Sequence, residues 1–97
     1  MNLNLNHEGF EQHLVTRRPC NGGVQYMFKF ENGYGASVIK HDFSYGNDTD
    51  HWELAVIKWT EDGSYWDLCY DTDITDDVIG GLTDKAVREL LQEIKEL

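Results

Sequence analysis

Carboxylates are the side chains whose number and spacing in this sequence suggest a binding chemistry. The chain has 18 Asp and Glu residues against 8 Lys and Arg, a formal net charge of −10 at pH 7. The acids are concentrated from Gly46 onwards, and no base interrupts them between Lys58 and Lys85. A surface of one sign attracts partners of the opposite sign. We therefore predict a protein partner with a basic surface.

The candidate partner-binding residues are carboxylates of this base-free run: Glu61, Asp62, Asp67, Asp71, Asp73, Asp76 and Asp77. Direct binding of nucleic acid needs a positive footprint, which the run lacks. The predicted partner is thus a basic, nucleic-acid-handling protein, and the acids would mimic a phosphate backbone. The alternative is that the charge only keeps the chain in solution.

A metal site is not predicted. Asp71, Asp73 and Thr75 match the first three ligand positions of an EF-hand loop, but Asp76 stands where the turn needs glycine and Leu82 where the bidentate Glu belongs. The polar loop over 43–51 offers Asn, Asp and His side chains, and such loops are common without metal.

The sequence predicts no enzyme and no cofactor. Neither phosphate-binding glycine motif is present, and the histidines lack zinc-motif spacing. A nucleophile made of Cys20 or Cys69 with His41 would depend entirely on the fold, and the strand position of Cys69 favours packing. The alternative is a small enzyme or a ligand- or metal-binding domain that uses the 43–51 loop.

Composition indicates one domain. Ninety-seven residues suffice for one modest core, and no apolar run is long enough to cross a membrane. The first residues lack the basic and apolar regions of a secretory signal. We therefore expect a cytoplasmic protein with reduced thiols, although the sequence leaves open whether Cys20 and Cys69 meet.

The central stretch, 24–71, predicts two consecutive hairpins. From Val24 to Glu31 apolar and polar residues alternate with a period of two, and Asn32-Gly33 follows. A two-residue turn there would pair Met27 with Val38. These two residues, with Tyr34 and Ala36, would then share a half-exposed apolar face, which is a candidate partner surface. The favoured alternative is that residues 1–23 fold back over this face.

The second hairpin is centred on Asp62-Gly63. The turn predicts that Trp59 pairs with Trp66, Ile57 with Leu68 and Lys58 with Asp67. The face with the two tryptophans is apolar, so we expect the C-terminal helix to cover it.

A helix is predicted over 83–96, with Thr83 as N-cap. One stripe carries its apolar residues: Val87, Leu90, Leu91, Ile94 and Leu97. Residues 1–23 are predicted to be an irregular or weakly ordered lead-in, with a short helical turn over 8–14 or a leading strand over 13–18 as the alternatives. The fold class is therefore α+β: an antiparallel β-meander of about four strands with a C-terminal α-helix packed on one face.

Several segments between residues 26 and 91 resemble small bacteriophage and prophage proteins of uncharacterised function. They are Asn32-Gly-Tyr-Gly-Ala-Ser-Val-Ile39, Ser44-Tyr-Gly46, Trp52-Glu-Leu-Ala-Val-Ile-Lys-Trp59 and Tyr70-Asp-Thr-Asp-Ile-Thr-Asp-Asp-Val-Ile-Gly-Gly-Leu82. The resemblance implies a viral gene product that acts in the cytoplasm of a bacterial host. It brings no assigned activity and no catalytic residue.

Three hypotheses about function follow. The first is a non-enzymatic binding or inhibitory module that engages a basic protein through its acidic second half. The second is the small enzyme or ligand-binding domain described above. The third is a homo-oligomer built through the Met27/Val38 face or through an edge strand.

Overall fold

The computed structural model describes residues 3–20, 22–40, 51–68 and 78–97, and it shows an α+β fold. An antiparallel, curled sheet of six strands carries one C-terminal helix. The elements, after a 3-10 turn at Glu11–His13, are β1 (Leu14–Cys20), β2 (Gly23–Lys29), β3 (Tyr34–Lys40), β4 (Trp52–Trp59), β5 (Trp66–Leu68), β6 (Ile79–Leu82) and α1 (Asp84–Lys95). Helix α1 is too short and too polar to cross a membrane, and it is the only α-helix in the described part of the chain.

The predicted α+β class is confirmed, but the prediction of about four strands was too low, because the described residues form six. The strands follow the order β1-β2-β3-β4-β5, and β6 also pairs with β4. Strands β5 and β6 lie on the same side of β4, because β5 pairs with its end at Ile57–Trp59 and β6 with its beginning at Trp52–Leu54. The Gly80-Gly81 segment lies within β6.

Strand β1 shows that the lead-in contains regular structure. It pairs antiparallel with β2, with a bulge between Leu14 and Thr16. Pro19 and two arginines follow the bulge, and these are features that protect edge strands against pairing with other chains. Ahead of β1, Leu5 and Phe10 are buried in the hydrophobic core.

The first hairpin has a three-residue loop, Glu31-Asn32-Gly33, so the predicted register was wrong by one residue. Phe30 N donates to Tyr34 O at 2.8 Å, and Gly33 N donates to Phe30 O at 3.1 Å. Gly33 has a φ of +88°, as a type I turn with a following left-handed residue requires. The ladder therefore pairs Met27 with Ser37.

This one-residue shift exchanges the faces of β3. Val38 now lies beside Tyr26, in the core under the helix, while Met27 lies on the opposite face. Both side chains are buried, so the predicted half-exposed Met27/Val38 surface does not exist.

The register predicted for the second hairpin is confirmed. Trp59 pairs with Trp66, Ile57 with Leu68 and Lys58 with Asp67. The helix, however, covers the other face of β4, where Leu54 and Val56 contact the core cluster. The expectation that α1 covers the tryptophan face was therefore wrong.

Helix α1 begins and ends as its sequence predicts. Thr83 is the N-cap, and its hydroxyl accepts a hydrogen bond from Ala86 N at 3.2 Å. Val87, Leu91 and Ile94 are fully buried against the sheet. At the other end, Asn32 Nδ2 donates to the carbonyl oxygens of Ile94, Lys95 and Leu97, so the first hairpin loop caps the helix C-terminus.

Candidate functional site

The turn between β4 and β5 presents the predicted acidic residues that the structure describes. Thr60 N donates to Tyr65 O and Gly63 N donates to Thr60 O, both at 2.9 Å. Gly63 has a φ of +72°, which glycine adopts without strain. A four-residue loop, residues 61–64, thus joins the two strands.

Asp62 organises this loop. Its Oδ1 accepts hydrogen bonds from Thr60 Oγ1 at 2.6 Å, Ser64 Oγ at 2.8 Å and Ser64 N at 3.0 Å. These donors, the Thr60 hydroxyl first, lower the pKa of Asp62 to about 2. The carboxylate is therefore charged under all physiological conditions while it remains fully exposed.

Three of the seven predicted partner-binding residues lie together here. Glu61, Asp62 and Asp67 are all exposed. Tyr65 lies between them along the chain and is 64% exposed. We call Glu61, Asp62, Tyr65 and Asp67 the hairpin tip. The other four predicted residues, Asp71, Asp73, Asp76 and Asp77, lie outside the described residues.

The hairpin tip has two basic neighbours, of which the sequence predicted only Lys58. The Lys29 ammonium lies directly against Gly63, where a Cβ would overlap it, and 5.9 Å from the centroid of the Trp59 ring. Lys58 is opposite Asp67 in the ladder and lies over the Tyr34 ring, 5.1 Å from its centroid. The acidic surface is therefore bordered by two lysines, which limits its local negative charge.

The structure describes only some of the residues on which the alternative hypotheses depend. The 43–51 loop lies outside the described residues, apart from exposed His51. Cys20 is a free, half-buried thiol, and Cys69 and His41 lie outside the described part of the chain. No group of three metal-ligating side chains occurs within residues 3–20, 22–40, 51–68 and 78–97.

Two adjoining crevices, of about 450 and 280 Å³, lie beside the first hairpin loop. Both are lined by Gln12, His13 and Glu31. The His13 ring contacts Phe30, with 4.9 Å between the ring centroids. The other described residues that line the crevices are Lys29, Phe30, Asn32 and Lys95.

A larger groove, of about 730 Å³, was not predicted. It is lined by Arg18 of β1 together with Tyr65, Trp66 and Asp67 of the second hairpin. These residues are almost fifty positions apart in sequence and meet because the sheet curls. No local sequence signal could have joined them.

Comparison with known proteins adds no assignment. No family model, no curated protein and no solved structure matches this chain.

Proposed function

We propose that the protein is a non-enzymatic binding module that docks on a basic protein surface through the hairpin tip. The observation that supports this proposal is that Glu61, Asp62 and Asp67 are exposed on one hairpin around an exposed tyrosine. Tyrosine is enriched among the residues that dominate binding energy at interfaces, and surrounding charges steer the encounter. The resemblance to phage proteins would make this partner a protein of the bacterial cytoplasm.

The charge of the whole chain supports the same kind of partner. The net charge is −10, so approach to a basic protein is favoured over long distances at low salt. The two lysines beside the tip weaken this attraction only locally. We therefore expect Tyr65 to provide contact area in the complex and the carboxylates to increase the association rate.

A homo-oligomer receives less support from the structure. The apolar face on which that hypothesis was based is buried, and β1 has a bulge, Pro19 and two arginines along its length. Such features oppose edge-to-edge pairing with a second copy.

The test is retention of host proteins from bacterial lysate by three immobilised forms of the full chain. The first is wild type and the second is Glu61→Gln/Asp62→Asn/Asp67→Asn. The third is the matched control Glu89→Gln/Glu93→Gln/Glu96→Gln, which removes three charges from exposed positions on α1 and at its C-cap. Asn at 62 keeps an oxygen that can accept the loop hydrogen bonds.

We expect a basic protein to be retained by wild type and by the α1 variant. It should be lost from the hairpin variant and from all forms at high salt. Tyr65→Ala should weaken the same interaction by about 1–2 kcal/mol, as an interface tyrosine does. Equal retention by both triple variants, or no salt-sensitive partner at all, would contradict the proposal.

A further inference from the structure

The groove between the first and fifth strands has the size of a small-molecule site. Its volume of about 730 Å³ falls within the range of roughly 300–1,000 Å³ found for ligand pockets. Trp66 is half-buried in the groove wall, and Tyr65 is largely exposed beside it. Two charged residues, Arg18 and Asp67, line the groove together with them, and the groove surface is more polar than apolar.

Arg18 is held in position by buried polar side chains. Its Nε donates to Gln25 Oε1 at 2.6 Å, and Gln25 Nε2 donates to Ser37 Oγ at 2.8 Å. Gln25 and Ser37 are each only 5% exposed. Buried amides and hydroxyls are costly unless they are hydrogen-bonded, and here they form a chain across β1, β2 and β3 that ends at the guanidinium.

The two terminal nitrogens of the Arg18 guanidinium make no hydrogen bond within the described residues. In residues 3–20, 22–40, 51–68 and 78–97, no atom accepts a hydrogen bond from Nη1 or Nη2 of Arg18. The neighbouring Arg17 differs, because its Nε donates to Tyr26 Oη at 2.9 Å and its Nη2 to Leu3 O at 3.3 Å. Within the described part of the chain both terminal nitrogens of Arg18 are thus available, and a planar oxyanion is the partner whose geometry a guanidinium matches best.

The other lining groups restrict what the oxyanion is attached to. Aromatic walls favour a flat ring over an aliphatic chain. Asp67 accepts hydrogen bonds, so it favours ligands that also carry an N–H or O–H donor. The net charge of −10 repels long polyanions, so the ligand must be small, with its charge close to Arg18.

We infer that this groove binds a small molecule consisting of a planar ring that carries a phosphate or a carboxylate, with Arg18 holding the oxyanion and the Tyr65 and Trp66 rings contacting the ring. Gln25 is a positioning residue for Arg18. This site goes beyond the proposed docking surface. Asp67 is common to both, whereas Arg18 belongs only to the groove.

The test is isothermal titration calorimetry of the full chain with two ligand series. The phosphate series is adenosine 5′-monophosphate, adenosine and inorganic phosphate. The carboxylate series is indole-3-acetate, indole and acetate. We expect one complete ligand to bind with a dissociation constant near or below about 1 mM, and its ring-only and anion-only fragments to bind at least about tenfold more weakly. The series that binds identifies the oxyanion.

Variants then test the assigned groups. Arg18→Gln should weaken binding by about 10- to 100-fold, as the loss of charge-assisted hydrogen bonds does. The matched control Arg17→Gln removes the same charge one residue away and should change affinity less than threefold. Gln25→Leu keeps the Arg18 charge, so a smaller loss, together with a changed chemical shift of the Arg18 Nε–H, would show the positioning role.

Two results would overturn the inference. One is no binding of either complete ligand at about 1 mM, and the other is equal affinity of wild type and Arg18→Gln. If Arg18→Gln does not fold, Arg18→Lys takes its place, because lysine keeps the charge but lacks the two-pronged donor. Wild-type affinity in that variant would equally overturn the assignment.

Discussion

Replacing Gly35 with alanine tests how closely Phe28 and Trp59 approach the backbone of Gly35. Gly35 lies in β3, and the Trp59 indole of β4 crosses it to donate from Nε1 to Phe28 O of β2 at 3.0 Å. A Cβ at position 35 would overlap the Phe28 carbonyl oxygen and lie 2.5 Å from Trp59 Nε1. The Trp59 ring therefore lies against the backbone of Gly35.

The expected cost follows from these two contacts. Forcing an extra methyl group into a filled site costs about 1–3 kcal/mol, and losing the indole hydrogen bond costs about 1 kcal/mol more. We therefore expect the free energy of unfolding to fall by about 2–4 kcal/mol. In a domain of this size the melting temperature should fall by about 10–25 °C.

The matched control is Gly80→Ala in β6. A Cβ at Gly80 would meet only Glu53 Cγ, at an ordinary 3.8 Å, so stability should stay constant or rise by up to about 1 kcal/mol. Urea unfolding followed by far-UV circular dichroism measures both variants without depending on tryptophan emission. A Gly35→Ala protein that unfolds at the same urea concentration as Gly80→Ala would refute the close approach.

Two further predictions concern the loops. Asn32→Ala should cost about 1–2 kcal/mol of folding stability, because the amide group caps the last carbonyls of α1. The Asn32→Asp side chain cannot donate hydrogen bonds to these carbonyls, so this variant should be destabilised as well. A urea midpoint equal to that of wild type in the Asn32→Asp variant would contradict the cap. The Asp62 carboxyl should titrate near pH 2 in the folded protein when followed by NMR, and Thr60→Val should raise its pKa towards 3.8. Because the folded pKa lies below the unfolded one, the stability contributed by Asp62 is present at neutral pH and is lost as pH falls from about 4 to about 2. Asp62→Asn should remove that part of the pH dependence of stability. The prediction is contradicted if the stability of this variant depends on acidic pH as strongly as that of wild type.

Local signals were sufficient for α1 and for the second hairpin. The N-cap threonine and the apolar stripe fix the helix through contacts within a few residues, and the 61–64 loop is stabilised by the side chains of Thr60, Asp62 and Ser64. These interactions join residues that are close together in the chain, so the sequence pattern alone predicts them.

The first hairpin could not be predicted in the same way. Asn32-Gly33 is compatible with a two-residue and with a three-residue loop. Distant contacts select the longer one, because the Asn32 amide reaches the end of α1 and Trp59 N donates to Gly33 O at 2.8 Å. The register error, and the reversed faces that followed from it, came from these non-local interactions.

The sequence alone determined the α+β class, the limits of the helix, the register of the second hairpin and the excess of negative charge. Tertiary structure decided which face of the sheet the helix covers, that Lys29 borders the hairpin tip, and that Arg18 and Trp66 line one groove. The physical reason is sequence separation: propensity, capping and turn chemistry act over a few residues. The curl of a sheet, by contrast, brings together strands whose positions in the chain carry no common signal.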